Sequence, residues 1–187
     1  MNSKKIVITG APGTGKTAVI KGLETKGYHC FHEIIRTMTA KAKEQGKVKN
    51  HATNPLDFVD DPFKFNRLLI DSRLAHFEES KKLDEKLLFF DRGMPDVLAY
   101  MDYFKQTYPN YFSMLCKQNR YDIVFIMPPW KEIYVSDNER LETFAQAELL
   151  HENLINTYNL LGYSPISVPK MSINERISYI LKQLNLT

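Results

Sequence analysis

Apolar runs and stretches of helical spacing alternate along the chain. Lys4 to Gly10 reads Lys-Lys-Ile-Val-Ile-Thr-Gly, a β-branched run closed by glycine, and predicts a buried strand. From Lys16 to Lys26, Val19, Ile20 and Leu23 fall on one side of a helix that Gly27 stops. Tyr28 to His32 predicts a second strand, and Glu33 to about Lys43 a helix. Asp61-Pro62 supplies an N-cap and a first-turn proline. The helix they open runs to about Lys82 and buries Phe65, Leu69, Leu74 and Phe77 or near neighbours. Lys86 to Asp91 predicts a third strand, Pro95 to about Lys105 a helix, and Tyr121 to Met127 a fourth strand closed by Pro128-Pro129-Trp130. Phe144, Ala147, Leu154, Tyr158 and Leu161 place a helix over Glu139 to Leu161, capped by Gly162. Ser164 to Val168 predicts a short last strand, and Ser172 caps a helix reaching about Leu184.

Strands without in/out alternation, interleaved with helices, call for a parallel sheet covered on both faces. The fold class is therefore α/β, with residues 1–187 as one domain and no internal repeat or heptad run. Glu44 to Pro55 loses apolar periodicity and reads as a mobile loop. At 187 residues, 43% hydrophobic and 25% charged, the chain has the composition of a soluble globular protein. A net charge of +3 is too small to indicate a nucleic-acid partner. Two cysteines, Cys30 and Cys116, exclude a disulfide framework and fit a reducing, cytoplasmic compartment. Met1 to Lys5 shows no secretory signal, and apolar runs such as Leu87 to Phe90 fall far short of the ~20 residues of a membrane span.

The chemistry enters with Gly10-Ala11-Pro12-Gly13-Thr14-Gly15-Lys16-Thr17, which satisfies G-x-x-x-x-G-K-[ST]. A nucleoside polyphosphate brings several negative charges that must be met without water. Glycines let the backbone wrap so that successive N–H groups point inward as an anion nest, and the helix that follows adds the positive end of its dipole. In that arrangement Lys16 would reach the β- and γ-phosphates of ATP or GTP, and the Thr17 hydroxyl would ligate Mg²⁺. A glycine-rich turn before a helix is the plain reading. Background composition produces such a match in roughly one chain in 150 of this length. The apolar strand before and the helix after make an accident much rarer.

Ligands of open parallel sheets bind outside the carboxyl ends of the strands. Strand two ends at His32-Glu33 and strand three at Asp91-Arg92, so Glu33, Asp91 and Arg92 are expected on the same edge as Lys16. Asp91 closes the apolar run Leu87-Leu88-Phe89-Phe90, a Walker-B pattern whose carboxylate would hold Mg²⁺; a turn aspartate is the plainer alternative. Glu33 is a candidate base for a substrate hydroxyl, or simply a carboxylate favoured in a first helical turn. Arg36, three residues on, is a candidate substrate contact. Arg92 and Arg140 are candidates for stabilising charge on a transferring phosphoryl group; Arg140 lies in a polar stretch where a lid is expected. His29, His32, His51, His76 and His151 show no metal-ligand spacing, Cys30 reads as a small core residue, and the aromatics between 97 and 112 read mainly as core. Trp130 follows a strand at the functional edge and is expected to pack the lid or a base.

Phe90-Asp91-Arg92-Gly93-Met94-Pro95-Asp96, Pro128-Pro129-Trp130-Lys131-Glu132, Asp137-Asn138-Glu139-Arg140 and Leu161-Gly162-Tyr163 resemble a group of small P-loop proteins. These are described as predicted ATPases under a broad AAA label. The group is similar to the ribosylnicotinamide kinase domain, to nucleoside and nucleoside-monophosphate kinases, and to a GTP-binding trafficking module that binds phosphatidic acid. The resemblance implies a kinase-like three-layer sandwich with five parallel strands ordered 2-3-1-4-5. It further implies that Lys16 and Thr17 take phosphate and Mg²⁺, that Glu33 and Asp91 are base and metal carboxylates, and that Arg140 is the lid arginine. Residues 44–61 then form an acceptor-side loop and 128–142 a lid-like segment. Residues 131–142 hold only Lys131 and Arg140 as cations, where many nucleotide kinases present more arginines, and this favours an uncharged, nucleoside-like acceptor. Two functions remain open at this point: a Mg²⁺-dependent small-molecule kinase, and a nucleotide-dependent switch with a lipid or protein partner.

Overall fold

The computed structural model describes residues 3–34, 61–134 and 143–185. The expected helix after Glu33, most of the 44–61 loop, and Arg36 and Arg140 lie outside these residues, as do residues 135–142 of the lid-like segment.

Five strands form one parallel sheet: β1 (Lys4–Gly10), β2 (His29–Phe31), β3 (Leu87–Asp91), β4 (Ile123–Met127) and β5 (Ile166–Ser167). Their order is β2-β3-β1-β4-β5, as the resemblance implied. The described helices are α1 (Lys16–Thr25), α2 (Pro62–Ser80), α3 (Met94–Tyr103), α4 (Asn110–Gln118), α5 (Phe144–Leu160) and α6 (Ile173–Gln183), with a short 3-10 turn at Lys131–Ile133.

The central strands are apolar on both sides because both faces are covered. Val7 of β1, Leu88 and Phe90 of β3, and Val124 and Ile126 of β4 face one core layer with α2, α3 and α5. Ile6 and Ile8, Phe89, and Phe125 face the other, against Val19, Ile20 and Leu23 of α1 and Ile177 and Ile180 of α6. The period-two alternation is present in space, but both classes of position are hydrophobic, so it leaves no trace in the sequence.

Helix starts follow local chemistry. The Asp61 carboxylate accepts from the N–H groups of Phe63 and Lys64 at 3.0 and 3.1 Å, with Pro62 in the first turn. Thr143 and Gln146 form a reciprocal capping box on α5, and Ser172 and Glu175 do the same on α6. Leu74 is only partly buried, whereas Phe65, Leu69 and Phe77 are buried as expected.

Three elements differ from expectation. Helix α5 begins at Phe144, with extended Thr143 as its N-cap, and not at Glu139. Helix α4 is absent from the expected elements; it is nine residues long and buries Phe112 and Cys116, four residues apart on one face. Strand β5 shrinks to two residues, since it pairs only with β4 at the sheet's edge.

Phe89 is fully buried between β1 and β2 and packs edge-on against Tyr28 at 5.5 Å. Phe89→Ala should therefore destabilise the fold by about 3–5 kcal/mol. A chemical-denaturation midpoint close to that of the unsubstituted protein would contradict this packing.

Candidate active site

Strand β1 ends in the glycine-rich loop. Its first glycine is packed on β4: a Cβ at Gly10 would lie 2.5 Å from the Met127 carbonyl oxygen. Gly15, at φ 85°, turns the chain in the left-handed region and hands it directly to α1. The Thr14 hydroxyl donates to the Ala11 carbonyl at 2.9 Å, and Lys16 Nζ lies 3.4 Å from the same oxygen. Pro12, Gly13 and Thr17 are half-buried. The Tyr134 ring covers Gly13 so closely that a Cβ there would approach it to 2.7 Å.

At the end of β3 the backbone makes an uncommon turn. Arg92, a non-glycine residue, has φ 75°, a conformation that costs of order 1–3 kcal/mol and persists only where its surroundings enforce it. That turn directs its buried guanidinium across the edge of the sheet. Nε donates to Glu33 Oε1 at 2.7 Å, while Nη1 donates to the Gly10 carbonyl at 3.2 Å and to Asp96 Oδ1 at 3.1 Å. The Tyr100 ring lies 5.1 Å from the guanidinium carbon.

Asp96 is fully buried and is held from several sides. Its Oδ1 also accepts from the Thr9 hydroxyl at 2.5 Å. Its Oδ2 accepts from the Tyr158 hydroxyl at 2.6 Å and from the Gly93 N–H at 3.0 Å. Nearby, the Arg73 guanidinium donates to the Gly93 carbonyl at 2.9 Å.

The electrostatics follow from burial opposed by pairing. Desolvation alone would raise the Glu33 carboxyl, but the Arg92 charge, then Lys16, outweigh it and hold Glu33 well below the usual carboxylate range. Asp96 is likewise held ionised by Arg92 and Arg73 against its burial. Lys16 moves the other way. Desolvation, assisted by Arg92, lowers it to about 8, although Glu33, Asp91 and Asp96 each pull it back up. The same influences show that Asp91, 5% exposed at the end of β3, lies within electrostatic reach of Lys16.

The structure thus brings Lys16, Glu33, Asp91 and Arg92 to one edge, as the strand-end rule predicts. Sequence reading did not single out Asp96, Arg73, Tyr158 or Arg176. The four-residue spacing of Arg92 and Asp96 was the one local signal available. Arg176, near the start of α6, donates from Nη1 to the Thr14 carbonyl and from Nε to the Met171 carbonyl, each at 2.8 Å. Its guanidinium carbon stands 4.8 Å from the Trp130 ring centre. Nothing in the local sequence around 176 announces a contact with a loop 162 residues earlier. For a divalent cation, the Thr17 hydroxyl and Asp91 carboxylate offer a sparse set of hard oxygen donors. That suits a Mg²⁺ ion carried mainly by phosphates.

Among solved structures, the chain superposes on deoxyadenosine kinase from M. mycoides with dCMP and a flexible dCDP bound. The TM-score is 0.67 at 19% identity, covering 98% of this chain and 100% of that one. NadR protein in complex with NR gives 0.74 at 14% identity, covering 99% of this chain and 52% of that one. Thymidylate kinase from Candida albicans gives 0.69 at 14% identity, with 98% and 92% covered. The fold is that of the small P-loop nucleoside and nucleotide kinases. Residues 5–176 match the AAA_28 model, described as an AAA domain, and the chain belongs to that family. A comparison with curated proteins gave no match.

Burying a protonated lysine has a cost that depends on pH. The unfolded chain keeps the Lys16 proton up to about 10.5 and the folded one only up to about 8, so between these values stability rises with pH. Lys16→Met should therefore stabilise the ligand-free fold at pH 7 by on the order of 3 kcal/mol. That gain should disappear as pH climbs from about 8 to 10.5. Equal urea midpoints for both proteins at pH 7 would refute the assignment.

Proposed function

We propose that this protein is a nucleoside-triphosphate-dependent phosphotransferase acting on a small hydroxyl-bearing acceptor of nucleoside type. The observation that carries this reading is the Glu33 carboxylate, fixed at 2.7 Å from Arg92 Nε on the edge that also presents Lys16.

The acceptor hydroxyl would attack the γ-phosphorus as the bond to the β-phosphate oxygen breaks, and Glu33 would take the hydroxyl proton. Arg92 keeps Glu33 deprotonated and aimed, at some expense in basicity. That suits a transfer in which the proton leaves late and positioning dominates. The backbone N–H groups of the glycine-rich loop and the Lys16 ammonium would meet the phosphate charge. Thr17 and Asp91 would hold a Mg²⁺ ion, which when bound neutralises charge shared by the β- and γ-phosphates. Arg140 and Arg36 remain the expected lid and acceptor contacts. ATP as donor is supported by a second NadR structure, described as a complex with NAD and AMP-PNP. GTP stays the alternative to be assayed.

The deciding assay follows both free phosphate and phosphorylated product from Mg·ATP or Mg·GTP with a panel of nucleosides and nucleotides. Acceptor-dependent product is expected. Tight nucleotide binding with slow hydrolysis that no acceptor accelerates would replace the kinase with a switch. Glu33→Gln should keep nucleotide affinity within about twofold and lower kcat by about 10²–10⁴. Normal transfer by that variant would remove Glu33 as the base.

Nucleotide binding should also report the Lys16 proton. The anion favours protonated lysine, so affinity should be level below pH about 8 and fall roughly tenfold per unit above it. Trp130, the chain's single tryptophan and a neighbour of Arg176, gives the fluorescence signal for this titration. An affinity unchanged from pH 7 to about 9.5 would refute the role of Lys16.

A further inference from the structure

Besides Glu33 and the Gly10 carbonyl, Arg92 is held by Asp96, which is itself tied from β1 and α5. Its Nη1 shares Asp96 Oδ1 with the Thr9 hydroxyl, and the other carboxylate oxygen is taken by Tyr158 and the Gly93 N–H. Asp96 thus has a plain local duty, capping α3 from its third position. A cap requires only the Gly93 contact. It does not require a carboxylate with no solvent exposure, nor a tyrosine brought from a helix 62 residues away.

The space around Gly93 shows how specific the arrangement is. Its φ of −107° is open to any residue, so backbone freedom does not explain the glycine. A Cβ there would stand 2.7 Å from the Tyr158 hydroxyl and 3.0 Å from the Tyr121 ring. The missing side chain leaves the corridor through which the Tyr158 hydroxyl reaches Asp96. The Gly93 carbonyl, in turn, is tied by Arg73. Side chains of β1, α2 and α5 therefore converge on one four-residue turn.

The geometry points to Asp96 and Tyr158 as positioning residues. Through the chain Tyr158–Asp96–Arg92–Glu33, helix α5 sets the orientation of the carboxylate proposed as the base. Helix α5 thereby reaches Glu33 through this hydrogen-bonded chain as well as through its packing on α3. The inference rests on the kinase reading for its consequence in turnover. The wiring itself can be measured without turnover.

Tyr158→Phe removes one hydroxyl and keeps the ring, and Thr9→Val does the same to the second donor while preserving shape. Two measurements are made on each full-length variant below its unfolding temperature. The first is solvent exchange of the Arg92 Nε–H by nitrogen-15 NMR, with the resonance assigned through Arg92→Lys. The second is steady-state transfer to the best acceptor. Tyr158→Phe should speed Nε–H exchange about tenfold or more. It should also lower kcat by about 10- to 30-fold, with nucleotide affinity held within about twofold. Thr9→Val should act in the same direction. Exchange unchanged in both variants would overturn the wiring, and faster exchange with kcat intact would overturn the positioning role. Should the unsubstituted protein phosphorylate no acceptor, the kinase reading fails by itself, and exchange alone decides whether α5 holds Arg92.

Discussion

A guanidinium cannot be taken out of water at the edge of a sheet unless carboxylates meet it there, and Arg92 is met by two. Glu33 comes from the end of β2 and Asp96 from the first turn of α3, so one cation ties together three neighbouring pieces of chain. Replacing a buried pair of this kind by apolar residues often costs little, whereas removing one partner leaves an uncompensated charge. The site is therefore costly to disturb piecemeal. The left-handed backbone at Arg92 belongs to the same constraint, because only that turn aims the guanidinium back over the Gly10 carbonyl.

The lysine of the phosphate loop lives within this balance. Lys16 is buried beside Arg92, which disfavours its charge, and within reach of Glu33, Asp91 and Asp96, which favour it. A polyanion arriving at the loop would tip that balance toward the protonated form. The ligand-free fold thus carries an electrostatic debt that a ligand is suited to cancel, a common trade between stability and function. The loop's shape has separate supports: Arg176 holds the Thr14 carbonyl from α6, and Tyr134 covers Gly13. The geometry of the glycine-rich loop is thereby fixed from the far end of the chain, while the charge beside it is fixed from the middle.

Much of the fold was legible because its signals are local. Capping chemistry at Asp61 and Ser172 marked helix starts correctly, since a side-chain oxygen satisfies N–H groups only two or three residues away. The G-x-x-x-x-G-K-T spacing was legible for the same reason. Helix α4 was not, because its nine residues make little more than two turns, too short a window for its period to stand out. Within the site, Glu33, Asp91 and Arg92 could be placed by strand ends alone. Tyr158 and Arg176 could not, because a hydroxyl on a fifth helix and a guanidinium on a sixth look like ordinary helical positions until the chain is closed.

The sequence by itself determined the class of architecture and the phosphate-loop motif. Hydrophobic runs of strand length, helical spacing and loop spacing are all properties of neighbours along the chain. The tertiary structure decided which charges are paired and therefore what state each is in. It made Glu33 a firmly ionised carboxylate and Lys16 a reluctant ammonium, and it made Asp96 more than a cap. Such states depend on the local dielectric and on distances of a few ångströms between residues far apart in sequence. Only the folded packing sets either one.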